Sequence, residues 1–136
     1  MTEPSGISLN SKNSLTDLSF ALIESEDNGM GKYYLWTNEE MQFSLTYDRG
    51  HYECDISSPK KPINPMGLIR LLRFLRNDST FYKKELIEAN LWYTLTIDAY
   101  VKLFYNNYDL IKGFLTSFDQ MKYDNYNEFE FSFDGI

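Results

Sequence analysis

The most reactive side chains in this sequence belong to its single histidine and its single cysteine, His51 and Cys54. A cysteine nucleophile needs a base within hydrogen-bond reach. His51 and Cys54 lie three positions apart in a segment with strand-like alternation, so their side chains point to opposite faces. We therefore interpret Cys54 as a small core residue and predict no catalytic residues of this kind. One cysteine and one histidine also fall short of a zinc site, so no metal is predicted.

A pair of carboxylates is the second feature that could carry chemistry. Glu53 and Asp55 share one face of the same predicted strand, about 6–7 Å apart along the backbone. Such a pair can do acid–base work, and a small hydrolase using both residues is kept as an alternative. Same-face carboxylates on a hairpin are more often a solvated rim. No glycine-rich phosphate loop occurs, and we predict a protein that is not an enzyme and binds no cofactor.

Basic residues cluster in one part of the chain. Seven of the thirteen lysines and arginines lie between positions 60 and 84, with Arg70, Arg73 and Arg76 at every third position. A positive helix face can bind phosphate. However, the chain carries a net charge of −7, which repels nucleic acid at long range. The acidic balance would instead attract a basic protein partner, although solubility alone is the more common reason for such a balance.

Length and composition define the class of protein. The 136 residues suffice for one domain, and 43% hydrophobic residues, including ten Phe and eleven Tyr, can build a core. A single cysteine excludes an intrachain disulfide. The first ten residues lack the pattern of a signal peptide, and no apolar run is long enough to cross a bilayer. These features predict a cytoplasmic protein with no membrane segment.

The chain pattern predicts the α+β fold class. We expect an N-terminal helix, a small antiparallel sheet with a central hairpin, then two to four helices and, as one alternative for the chain end, a C-terminal strand. The predicted division is a loose arm over 1–12, a helix over 13–29, a three-stranded antiparallel sheet over 32–57, helices over 64–117 and an acidic, aromatic tail over 118–136.

The first predicted helix rests on a cap and an apolar stripe. Ser14 is the expected N-cap, and Leu15, Leu18 and Leu22 follow at helical spacing. The second predicted helix runs from Asn64 to about Asn77.

The hairpin is the clearest local signal in the sequence. Two alternating segments, Met41–Tyr47 and His51–Ile56, flank the connection Asp48-Arg49-Gly50. Gly50 can take the positive φ that a tight turn needs. Arg49 is assigned a structural role, its guanidinium tying the turn to a carboxylate or carbonyl. The apolar face of the hairpin must pack on helices before and after it.

The end of the chain allows two interpretations. Glu128 to Phe133 alternates between aromatic and polar residues, which fits a terminal strand. An acidic, aromatic tail that becomes ordered only on a partner fits as well.

Three segments together carry a resemblance. The helix Leu15-Thr16-Asp17-Leu18-Ser19-Phe20-Ala21-Leu22, the hairpin around Asp48-Arg49-Gly50 and the leucine-rich Leu68 to Leu75 resemble a broad group of small, mostly uncharacterised bacterial proteins with an Asp-Arg-Gly hairpin. The resemblance spans roughly Leu15 to Leu110 and rests on one short motif and the order of elements. Some of these proteins resemble immunity proteins, which neutralise toxins made by the same cell.

That resemblance implies stoichiometric inhibition, in which an acidic, aromatic surface covers the active site of a basic toxin domain such as a nuclease. Exposed rings supply contact area, and negative charge speeds the encounter. The expected partner-binding residues are Glu53, Asp55, Tyr123, Tyr126, Glu128 and Glu130. The alternative from another class is an adaptor or homo-oligomeric structural module, such as a homodimer that buries its aromatic patches against a second copy.

Overall fold

The computed structural model describes residues 2–60, 63–88 and 95–129. Within them, five strands form one antiparallel sheet in the order β1-β2-β3-β4-β5. The strands are β1 (Ala21–Asp27), β2 (Gly31–Thr37), β3 (Gln42–Asp48), β4 (His51–Ser57) and β5 (Met66–Gly67). The helices are α1 (Leu9–Asp17), α2 (Leu68–Leu75), α3 (Lys83–Glu88), α4 (Ile97–Asn106), α5 (Tyr108–Thr116) and α6 (Gln120–Glu128). The predicted α+β class, with its N-terminal helix and central hairpin, is confirmed.

The predicted turn between β3 and β4 is present. Asp48 pairs with His51, which leaves Arg49 and Gly50 as a two-residue connection with φ values of 53° and 87°. Two successive positive φ angles match the twist of the flanking strands. The Arg49 guanidinium lies 3.9 Å from the Asp48 carboxylate, and both side chains are exposed. Such a pair adds little, so the backbone conformation of the turn, rather than the Arg49 side chain, holds the hairpin.

One face of the sheet carries the core. Phe43, Leu45 and Ile56 project from β3 and β4 to this side and have no exposed surface. The helices cover them: the ring of Phe104 in α4 lies 4.7 Å from that of Phe43, and Leu71 in α2 is fully buried. The alternation predicted for both strands is therefore confirmed, with the helices as the cover.

The predicted helix over 13–29 is wrong in its extent. The helix ends at Asp17, Ser19 takes a φ of 64°, and residues 21–27 form β1. Leu15 and Leu18 fit a helical stripe together with Leu22, but Leu22 pairs with Trp36 of β2. The backbone hydrogen bonds between β1 and β2 outweigh the helical spacing of these three leucines in determining the local structure.

The predicted loose arm over 1–12 is also wrong in its second half. Ser8 caps α1 by accepting a hydrogen bond from the backbone N–H of Ser11 at 3.2 Å. The Asp98 carboxylate in α4 accepts from the Ser8 backbone N–H at 2.9 Å and from the Ser11 hydroxyl at 2.7 Å. These bonds tie the start of the chain to α4.

The segment predicted as all helical over 64–117 begins with a strand. Met66 and Gly67 pair with β4 as the short strand β5 before α2 starts at Leu68. Leu68, Leu71 and Leu72 of α2 are buried, and Arg73 is buried as well, with 1% of its surface exposed. Its Nε donates to the Phe81 carbonyl at 2.9 Å.

The predicted tail over 118–136 contains a helix, α6, capped by Asp119. Tyr123 and Tyr126 of α6 are buried, with Tyr126 5.5 Å from the ring of Phe74 in α2. Helix α6 therefore packs on the protein's own core. The predicted C-terminal strand is wrong at its start, because Glu128 is the last residue of α6. Its positions from 130 onward lie outside the described residues.

Candidate functional site

The sheet has a second face, which the described helices do not cover. In an antiparallel sheet alternate residues point to the same side, and the strand register identifies this set. We call it the open face: Glu24 and Glu26 on β1, Tyr33, Leu35 and Thr37 on β2, Gln42, Ser44, Thr46 and Asp48 on β3, and His51, Glu53, Asp55 and Ser57 on β4. Most of these side chains are exposed or half-buried.

The open face is acidic throughout. It carries five carboxylates and, within its defined set of residues, no lysine or arginine. Asp48, at the hairpin turn, contacts the exposed Arg49, and no other ion pair involves the five carboxylates in the described part of the chain. Lys32 lines a hollow together with Glu26 and Asp48, and Arg70 lines another with Glu53 and Asp55, so these carboxylates have nearby cations but few ion pairs.

The carboxylates flank a neutral centre. Strand pairing aligns Glu24, Leu35, Ser44 and Asp55 in one row across the sheet. A second row aligns Glu26, Tyr33, Thr46 and Glu53. In each row the acidic residues lie on β1 and β4, roughly 14 Å apart given three strand spacings.

Two side chains on this face have a raised pKa, to which the negative charge of the face contributes. Partial burial, followed by the charge of Glu53, raises the pKa of the Asp55 carboxyl. Partial burial, followed by the charges of Glu24, Asp55 and Glu26, raises the pKa of the Tyr33 hydroxyl. Three carboxylates from opposite margins of the sheet thus act on one central tyrosine. Charges at both margins of the sheet therefore raise the pKa of the same central side chain.

A shallow hollow adjoins the open face near the hairpin turns. It has a volume of about 400 Å³, and its lining includes Glu26, Tyr33, Thr46 and Asp48. Lys32 also lines this hollow, so its two carboxylates share it with a cation of the protein itself.

Of the six residues predicted to bind a partner, only two meet on this surface. Glu53 and Asp55 lie side by side on the open face, as their alternation predicted. Glu128 is exposed at the last position of α6, which packs with the helices on the core side of the sheet. Glu130 lies outside the described residues.

The prediction that Tyr123 and Tyr126 are surface anchors is wrong for the described structure. Both rings are buried, and they stack 6.3 Å apart with nearly parallel planes. The Tyr123 hydroxyl accepts a hydrogen bond from the Asn64 backbone N–H at 3.0 Å. Burial raises the pKa of Tyr126 to about 12 despite the nearby Arg70 cation. These two residues close the core.

The sequence-based prediction missed Glu24, Glu26 and Tyr33. Residues 24–27 are polar at every position, so no alternation of apolar and polar residues marks them as a strand in the sequence. A bulge also shifts the register between Leu22 and Glu24, and the helical spacing upstream was the stronger signal.

The described structure shows the surroundings of the residues that could carry chemistry. Cys54 is buried on the core face, where burial, followed by the charge of Asp55, raises the pKa of its thiol well above the usual range. His51 lies on the opposite face, as predicted. No cluster of three metal-ligating side chains occurs among the described residues. The hollow beside Glu53 and Asp55 holds only about 240 Å³, below the ~300–1,000 Å³ of typical ligand pockets.

The predicted basic stripe on α2 is not a continuous surface. Arg73 is buried, and the Arg76 guanidinium lies 4.6 Å from the centre of the Phe81 ring. Arg76 also donates to the Asn107 side chain. The Arg70 guanidinium lies over the Tyr126 ring at 5.4 Å. The three arginines support the packing of α2 rather than forming one exposed row.

Comparison with known proteins adds no further assignment. A scan of protein-family models, a search of curated proteins and a search of solved structures each returned no match. Among the described residues, no helix has the length and apolar character that a membrane crossing requires. The open face is therefore the feature from which we infer function.

Proposed function

We propose that this protein binds another protein through the open face and acts as an immunity-type inhibitor that covers the active site of a cognate, basic bacterial toxin. One observation carries the proposal: a sheet face that the described helices do not cover bears five carboxylates and no lysine or arginine within its set. As part of the same proposal, the protein acts in the cytoplasm of a bacterium and has no catalytic role.

The layout of the open face matches what a protein interface needs. Interfaces commonly combine a less charged centre with a polar, solvent-accessible rim. Here Tyr33 supplies a half-buried aromatic ring at the centre, while the carboxylates of β1 and β4 supply the rim. Tyrosine is enriched among residues that contribute strongly to binding.

The charge of the face specifies the chemistry of the partner. Carboxylates with few ion pairs attract a positively charged surface, speed its encounter and repel acidic competitors. Enzymes that act on nucleic acids carry such surfaces because they bind phosphates. A protein that occupies this surface blocks the substrate without chemistry of its own.

The same charges argue against stacking of two open faces in a homodimer. Such a dimer would bring five carboxylates of one copy against five of the other, and like charges in a desolvated interface cost free energy. The homo-oligomeric alternative therefore requires a surface other than the open face.

The test measures binding to the products of the genes adjacent to this one. Each product is purified and titrated with this protein by calorimetry, and its enzymatic activity is assayed with and without one equivalent. We expect a one-to-one complex in the micromolar range or tighter, weakening with added salt, with loss of the toxin's activity. Failure to bind any neighbour's product at micromolar concentration contradicts the proposal.

A pair of charge-matched variants locates the surface. The double variant Glu53→Gln with Asp55→Asn is expected to bind about ten-fold more weakly, since each lost exposed ion pair contributes up to about 1 kcal/mol. The control, Asp17→Asn with Glu39→Gln, removes the same charge from exposed positions away from the open face. Equal weakening in both variants would show an effect of net charge alone and would count against the open face.

A further inference from the structure

Strand β1 forms an edge of the sheet that remains open to pairing. Its backbone pairs with β2 on one side. In the described part of the chain, no backbone hydrogen bond joins residues 21–27 to anything else. Two side-chain hydrogen bonds involve the strand among the described residues: the Ser25 hydroxyl donates to the Thr2 carbonyl, and the Asp27 carboxylate accepts from the Gly29 backbone N–H at 2.9 Å. At the other edge of the sheet, β5 has only two residues. An unpaired strand edge is a template for a further strand.

The charge of β1 restricts which strand can pair there. Glu24 and Glu26 project to the open face, Asp27 projects to the other side, and all three are exposed. Antiparallel pairing of two copies about Ser25 would place Glu24 of one copy directly opposite Glu26 of the other. Like charges directly opposite each other destabilise a strand pair. A second copy is therefore a poor occupant, whereas a strand with cations at alternate positions is complementary.

The bulge determines which part of the edge is regular. The register shifts between Leu22 and Glu24 and is continuous from Glu24 to Asp27. A bulge bends its strand locally and interrupts pairing. An added strand therefore aligns along 24–27, where Glu24 and Glu26 lie on the same side. The exposed Ile23, with 41% of its surface accessible, offers an apolar contact at the end of this segment.

We propose that the basic partner docks as an extended segment that adds a strand to β1, with lysine or arginine side chains at alternate positions beside Glu24 and Glu26. This inference rests on the proposed function, because the added strand extends the open face into the partner. Main-chain hydrogen bonds provide affinity in such strand addition, and alternate side chains provide specificity.

The test uses a synthetic probe and resonance assignments of the isotope-labelled protein. The probe is a seven-residue peptide of alternating lysine and valine, blocked at both ends. A control peptide of the same sequence carries a methyl group on every backbone nitrogen, which keeps the charge and removes the donors. We expect amide shifts and slower amide exchange within residues 21–27 on addition of the probe, at millimolar affinity, and neither effect with the control peptide.

Two variants separate the edge from the rest of the face. Glu24→Gln with Glu26→Gln is expected to weaken probe binding about ten-fold, taking about three-fold for each exposed pair. The control variant is Glu53→Gln with Asp55→Asn, which lies on β4, three strands away from the β1 edge. We expect it to weaken probe binding less than two-fold. The spectra of the free variants report whether each is folded.

Three results overturn the inference. Equal binding of the methylated peptide shows that charge alone attracts the probe. Shifts centred on Tyr33 and Asp55 place the probe on the face instead of the edge. Either outcome removes strand addition and leaves the proposed function intact. Absence of binding by any cationic peptide, together with failure to bind a neighbour's product, removes both.

Discussion

Replacement of Asp55 by asparagine is expected to increase the free energy of unfolding at neutral pH. Partial burial, and then the charge of Glu53, raises the pKa of Asp55 in the folded protein. A carboxyl with a raised folded-state pKa holds its proton more tightly when folded, so its ionised form destabilises the fold. This penalty is complete above the raised pKa. It fades as the pH falls through that pKa toward the unfolded value of about 3.9.

The magnitude follows from the geometry of the strand. Glu53 and Asp55 are two residues apart on one face, a separation of about 7 Å. Two unit charges at that distance repel by about 0.6 kcal/mol at the dielectric constant of water, and by more where water is partly excluded. In the described part of the chain no donor binds the Asp55 carboxylate, so asparagine loses no hydrogen bond. We expect a gain of about 1 kcal/mol.

Urea denaturation of the wild type and of Asp55→Asn at pH 7 and at pH 4 checks both the sign and the cause. The gain should be present at pH 7 and smaller at pH 4. Glu24→Gln is the matched control, because it removes one charge from an exposed position on the same face. Its expected change lies within about 0.5 kcal/mol of zero. Destabilisation by Asp55→Asn at pH 7 would mean that the carboxylate makes a stabilising contact, and the scarcity of ion pairs inferred for the open face would be refuted.

Three further predictions concern the parts of the fold that hold the sheet in place. Asp98→Ala should lower the free energy of unfolding by about 2 kcal/mol in urea denaturation at pH 7, since it removes the acceptor of bonds from Ser8 and Ser11. Burial alone would raise the pKa of Asp98, but these bonds lower it, so their contribution should be lost as the pH falls through its lowered pKa. Gly50→Ala should cost about 1 kcal/mol or more in the same assay, because a φ of 87° strains any side chain with a Cβ. Cys54 should react with a thiol reagent only at the rate of unfolding, because it is buried; rapid modification of the native protein would contradict its placement in the core.

The hairpin was predictable because all of its signals are local. The alternation of β3 and β4 and the glycine at position 50 lie within a few residues of one another, and each is sufficient to indicate a strand or a turn. The same alternation assigns Glu53 and Asp55 to one face. That half of the candidate site follows from sequence periodicity alone.

The other half of the site depends on contacts that are distant in sequence. Residues 21–27 become a strand because β2 supplies their hydrogen-bond partners, and Leu22 fits a helical stripe equally well without them. The tyrosines of α6 posed a similar problem. Tyr123 and Tyr126 suit an interface as well as a core, and only their packing against α2 decides between these locations.

The contrast between the two sides of the molecule strengthens the case for the open face. On the helical side, charged groups have internal partners: the Ser8 and Ser11 donors meet Asp98, and Arg76 meets Asn107. On the open face, within the described part of the chain, the carboxylates have almost no such partners, and their mutual repulsion lowers stability. The fold does not require them, since polar uncharged residues on the same strands would pair equally well and would repel less. An arrangement that costs stability and that folding does not need is consistent with the positively charged partner that we propose.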